Sequence, residues 1–110
     1  MDGLPGTIRA TRDKARTLVA LRGEIDLTLR DEASAALAAG LIAGLPVVVD
    51  LEGVTFMDST GIAFLVQYHL SCSEAGLACR MEHVPDAIRD LFDIAGLGTM
   101  LPAREPTDLA

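Results

Sequence analysis

Apolar and polar residues alternate from Thr7 to Asp13 and again from Thr17 to Arg22, the period of strands with one buried face. Lys14-Ala15-Arg16 separates the two runs, so they are predicted to form a hairpin. Gly23-Glu24-Ile25-Asp26 then reads as a turn leaving the second strand. At Thr28 the period changes. Thr28-Leu29-Arg30-Asp31 sets a hydroxyl three residues before a carboxylate, a pairing that satisfies free amides at a helix start. Leu29, Ala33, Ala36, Leu37, Gly40 and Leu41 recur at helical spacing to about Ala43. Their small size predicts close packing on a sheet.

Pro46 to Leu51 is a short apolar run, as expected of a central strand, with Glu52 to Met57 as the connection after it. Ser59 opens a second helix that reaches about Glu74, and Gly76 stands where a helix-terminating glycine belongs. Leu77 to Met81 reads as a strand. A third helix starts near Pro85, whose ring suits a first turn, and runs to Ile94, with Ile88, Leu91, Phe92 and Ala95 on its buried stripe. Gly98 to Leu101 is read as a short last strand. Residues 1–6 and 103–110, rich in Pro, Gly and Asp, are expected to be frayed tails of one domain spanning 1–110, folded over about 7–101. Strands joined by helices are usually parallel neighbours, so the order predicts an α/β fold: a mixed sheet of four to five strands carrying three to four helices.

Composition narrows the function. With 16 acidic against 9 basic residues and a net charge of −7, the chain is a poor partner for nucleic acid or anionic lipid. Half of its residues are apolar and mean hydropathy is +0.36, which excludes a disordered acidic tail. The longest uncharged stretch, Ser59 to Ser73, is too short and too polar to cross a membrane, and the first residues lack the features of a signal peptide. A cytoplasmic protein without membrane insertion is expected. Cys72 and Cys79 lack metal-ligand spacing and no His cluster joins them, so they are read as free thiols and no metal site is expected.

Four readings compete at Val47–Gly61. Asp50-Leu51-Glu52 after an apolar strand has the outline of a phosphatase of the haloacid dehalogenase type. Such an enzyme needs more acidic loops and a lysine to balance phosphate, and Lys14 lies far upstream. Ser59 as a hydrolase nucleophile would need a glycine two residues earlier, where Met57 stands. His69 lies nearly three turns along the same helix, and His83 has no fixed place in the sequence reading. No catalytic residue is therefore expected. Two readings remain and are compatible: Ser59 as a helix N-cap, and Ser59 as a cap that accepts a phosphate near the helix's free amides. A phosphate there would add about −1.5 to −2 charges beside Asp58 and repel a partner.

Phe56-Met57-Asp58-Ser59-Thr60-Gly61-Ile62, preceded by Val48-Val49-Asp50-Leu51 and Gly23-Glu24-Ile25-Asp26, resembles the STAS domain of bacterial anti-sigma factor antagonists. The likeness runs from about Thr7 to Leu101 and takes in Glu74-Ala75-Gly76-Leu77 and Leu91 to Leu97. The ordered set is specific where a lone Asp-Ser-Thr-Gly would not be.

That resemblance implies a binding module and not an enzyme. The unphosphorylated domain would bind an anti-sigma factor with a kinase fold, freeing the sigma factor. Phosphorylation of Ser59 would reverse this, and a PP2C-type phosphatase would reset it. Asp58, Thr60 and Gly61 would lie at the docking surface, with Asp26 in a second contact segment. ATP and magnesium would belong to the partner, so no cofactor is expected here. A non-switching STAS subunit of a transporter or signalling complex is the alternative. Ile62, Leu65, Val66, His69 and either Cys72 or Ser73 are read as the sheet-facing stripe of the second helix. Phe64, Tyr68 and Leu70 then fall on its flanks, where Phe64 is taken as a partner-binding residue and a homodimer stays open.

Overall fold

The computed structural model describes residues 5–101. Four strands form one sheet in the order β1-β2-β3-β4: β1 (Thr7–Arg12), β2 (Thr17–Ile25), β3 (Val47–Met57) and β4 (Cys79–Glu82). β1 and β2 are the expected antiparallel hairpin, while β2, β3 and β4 run parallel. Helices α1 (Arg30–Ala43) and α2 (Ser59–Glu74) make the two crossovers, and α3 (Asp86–Ile94) follows β4. Both crossovers step the same way along the sheet, so their shared hand puts α1 and α2 on one face. The core lies between them: Val19, Leu21, Val49, Leu51 and Met81 from the strands meet Ala33, Ala36, Leu65 and Cys72 from the helices.

β2 and β3 are longer than the sequence reading. β2 continues through Gly23-Glu24-Ile25, and Glu52–Met57 is strand and not connection. The cause is a pair of register shifts between β2 and β3. Ala20 faces Asp50 but Arg22 faces Gly53, and Gly23 faces Val54 but Glu24 faces Phe56, so β3 gains one residue at each shift. Each bulge flips the face presented by later residues. Leu51, Val54 and Met57 are all buried despite a spacing of three, which no regular strand produces.

Other elements shift locally. Gly98–Met100 is a short 3-10 turn and not a strand, leaving a four-stranded sheet. The last strand spans Cys79–Glu82, two residues later than its predicted start. Pro85 precedes α3 as its cap residue, and Ala95 is exposed where the stripe predicted burial. Gly76 does end α2 as expected: with φ of 75° it lets its own N–H reach Ser73 O (3.0 Å) and that of Leu77 reach Cys72 O (2.8 Å). Gly96 closes α3 in the same way. Of the predicted tails at 1–6 and 103–110, residues 1–4 and 103–110 lie outside the described residues, while Pro5 and Gly6 lead into β1 without regular structure.

Candidate functional site

β2 and β3 end side by side, with Ile25 opposite Met57, and the Asp58 amide reaches back to Ile25 O at 3.4 Å. Each strand therefore hands over to a helical segment through an aspartate, Asp26 after β2 and Asp58 after β3. The fold brings together the two segments that the sequence places more than thirty residues apart.

Both aspartates are caps. Asp58 is extended (φ −97°, ψ −171°), and its Oδ1 accepts the Thr60 and Gly61 amides at 2.9 and 3.1 Å. Asp26 Oδ1 accepts the Thr28 amide at 3.0 Å and its hydroxyl at 2.5 Å, closing a 3-10 turn over Leu27–Leu29 that leads into α1. These findings correct two expectations. Asp26, not Thr28, caps the first helical segment. Asp58, not Ser59, caps α2, because it holds the extended position before the first turn, from which its carboxylate reaches two amides.

Ser59 is the first residue of α2, exposed, and its hydroxyl has no hydrogen-bond partner among the described residues. The amides once expected to receive a phosphate are taken: Thr60 and Gly61 by the Asp58 side chain, Ile62 by Asp58 O at 3.1 Å. A group added to the Ser59 oxygen thus stands outside a finished cap, beside a carboxylate. Gly61 is buried and tightly placed, since a Cβ there would strike the Met57 side chain and lie 3.0 Å from Ile25 O. That close approach seats the start of α2 on the ends of both strands.

The buried stripe of α2 is Gly61, Leu65, Tyr68 and Cys72, about a quarter-turn from the one predicted. Tyr68 is buried and donates its hydroxyl to Ala33 O at 2.6 Å, tying α2 to α1, so it is unavailable to a partner. Phe64 is half-buried and packs against the core, which leaves only part of its surface for contact. Ile62, Val66 and His69 are half-buried, while Leu70 is exposed as expected. Two apolar residues escaped the sequence reading. Leu27, next to Asp26, and Phe56, two before Asp58, are each 53% exposed at this end of the sheet. The second bulge skips Thr55 and sets Phe56 opposite Glu24, a signal invisible without the register.

Elsewhere, Asp50 sits within β3 and not at a strand end, as the phosphatase outline would require. His83 Nδ1 lies 3.0 Å from Asp50 Oδ1, away from Ser59. Partial burial works against ionisation of Asp50, but the Glu52 amide and His83 outweigh it and hold the carboxyl below its usual range. His83 is in turn shifted up, first by its bond to Asp50. Cys72 and Cys79 are free; burial raises both thiols, Cys79 to about 12. Among the described residues no helix is long and apolar enough to cross a membrane.

A family model described as "Mlab, STAS domain" matches residues 8–102. Among solved structures, the chain is similar to the anti-sigma factor antagonist SpoIIAA in its unphosphorylated form, with a TM-score of 0.74 and 15% identity over 94% of this chain and 92% of that one. It is similar to phosphorylated SpoIIAA of Bacillus, with a TM-score of 0.70 and 16% identity over 94% and 96% of the two chains. An anti-sigma factor antagonist of Mycobacterium paratuberculosis gives a TM-score of 0.71 and 23% identity over 94% and 90%. At these identities the likeness is one of fold. No curated protein matches the sequence.

Proposed function

Since the chain belongs to the STAS domain family, we propose that it is an anti-sigma factor antagonist switched by phosphorylation of Ser59. In this reading it is a binding module and not an enzyme. Its partner is an anti-sigma factor with kinase activity, and a PP2C-type phosphatase restores the binding form. The observation that carries the reading is the exposed, unbonded Ser59 hydroxyl at the capped start of α2. Asp58, Thr60 and Gly61 adjoin it along the chain, Asp26 follows the neighbouring strand end, and Leu27 and Phe56 add exposed apolar area that a partner would cover.

The same geometry supports release by charge. The Thr60, Gly61 and Ile62 amides are already taken by Asp58, so a phosphate gains little from the helix cap to offset its charge. It adds about −1.5 to −2 charges beside that carboxylate, on a chain of net −7. A partner surface that accepted the neutral serine then meets desolvation and repulsion.

Incubation with candidate kinase-type anti-sigma factors and ATP, followed by mass spectrometry, tests the reading. Phosphate is expected on the peptide containing Ser59 and absent in Ser59→Ala, which still binds. Ser59→Asp is expected to bind at least about tenfold more weakly, a loss of about 1.4 kcal/mol. The second role, a permanent STAS subunit of a transporter or multi-protein complex, is favoured by the outer surface of α2, uncharged before Glu74 and with Leu70 exposed. It predicts stable association that Ser59→Asp leaves unchanged.

A further inference from the structure

Asp50-Leu51-Glu52 and His83 take no part in the proposed switch, yet the fold assembles them. Asp50 and Glu52 flank the first bulge of β3, and their carboxylates come close to one another there. Asp50 pairs with Glu82, the last residue of β4, and His83 follows directly with φ of 56°, the one non-glycine residue in the left-handed region among those described. This backbone turns the ring back over β3, to 3.0 Å between Nδ1 and Asp50 Oδ1. One donor atom from each of Asp50, Glu52 and His83 lies within 4.8 Å of the other two.

We propose that Asp50, Glu52 and His83 form a binding site for a divalent transition-metal ion of the zinc type. Nitrogen and carboxylate donors around one such ion, at about 2.0–2.2 Å from it, stand roughly 3–3.5 Å from each other. The His83–Asp50 pair already has that separation, and the long, exposed Glu52 side chain can close the remainder. An imidazole in the set favours zinc, nickel or cobalt over calcium and magnesium, which take oxygen donors. Two carboxylates balance the charge of the ion. The Glu52 amide, 3.0 Å from Asp50 Oδ1, holds the carboxylate in place, as orienting hydrogen bonds do at metal centres. Three protein donors leave a coordination position for water or for a group from another molecule.

The test is titration of the full chain with zinc chloride at neutral pH, read by calorimetry and by NMR of the two histidine rings. One ion per chain is expected, with shifts at His83 and not at His69. Magnesium and calcium are expected to bind more weakly. Glu52→Gln and His83→Asn are each expected to weaken zinc binding more than about tenfold. Both side chains are exposed, and asparagine tolerates a positive φ, so circular dichroism should stay unchanged. Unaltered zinc affinity in His83→Asn, shifts at His69 in place of His83, or no binding at millimolar zinc overturns the proposal.

Discussion

At the level of single residues, Asp58 and Ser59 divide tasks that either could perform alone. Serine and aspartate are both good N-caps, so the string Asp-Ser-Thr-Gly does not say which one ends the strand and which begins the helix. Backbone angles decide it: Asp58 is extended and bonds two amides, which leaves Ser59 exposed and unbonded. The division has a thermodynamic signature. Asp58→Ala is expected to lower stability by about 1 kcal/mol, within a range of 0.5–2. Ser59→Ala should stay within about 0.5 kcal/mol of wild type, as an exposed surface change does. Urea denaturation of both variants measures the contrast, and equal losses would make the serine a cap after all. Gly61 answers to packing in place of capping. Its missing Cβ lets α2 rest against Met57 and Ile25 O, so Gly61→Ala is expected to cost about 1–3 kcal/mol in the same experiment.

At the level of elements, legibility followed periodicity. The hairpin, α1, α2 and the glycine stops were readable because alternation, helical spacing and turn residues agree there. β3 was only half readable. Leu51, Val54 and Met57 face one core through two bulges, and a bulge is a property of strand pairing that no local pattern contains. The partnership of Asp26 with Asp58 was legible only through family likeness, since it depends on β2 and β3 ending in register. The α2 stripe was misplaced for a different reason: the helix has no charged side chain before Glu74 to mark its wet face. Tyr68 was assigned to a flank of the stripe, although its ring is buried and its hydroxyl bonds Ala33 O in α1. Tyr68→Phe removes that bond while keeping the ring. It is expected to cost about 1 kcal/mol, the net worth of a buried hydrogen bond, with the loss read from urea or thermal unfolding. A cost near zero would mean that α1 and α2 are held together by apolar contact alone.

For the whole molecule, the buried acids near the α1–α2–β4 junction set an upper pH limit on the fold. Burial is the leading cause of the raised values of Tyr68, Cys72 and Cys79, with Cys79 pushed to about 12 from an ordinary thiol value of 9.0. In each case the folded state prefers the neutral form. Once the chain unfolds, thiols release protons from about pH 9 and the phenol from about pH 10. Above that point the unfolded state binds fewer protons than the folded state, so unfolding free energy falls as pH rises. The melting temperature is therefore expected to decline from about pH 9 upward, through the window between the ordinary and raised values. Cys79→Ala removes one of these protons and should shallow the decline. Thermal melts of wild type and variant across that window are the measurement, and parallel curves would show that the Cys79 thiol does not contribute. The same burial predicts slow alkylation of either thiol at neutral pH, because the reactive thiolate is scarce in the folded state. The switch proposed at Ser59 lies at the strand ends, away from this junction, so alkaline loss of the fold should respond to Cys79→Ala and not to Ser59→Ala.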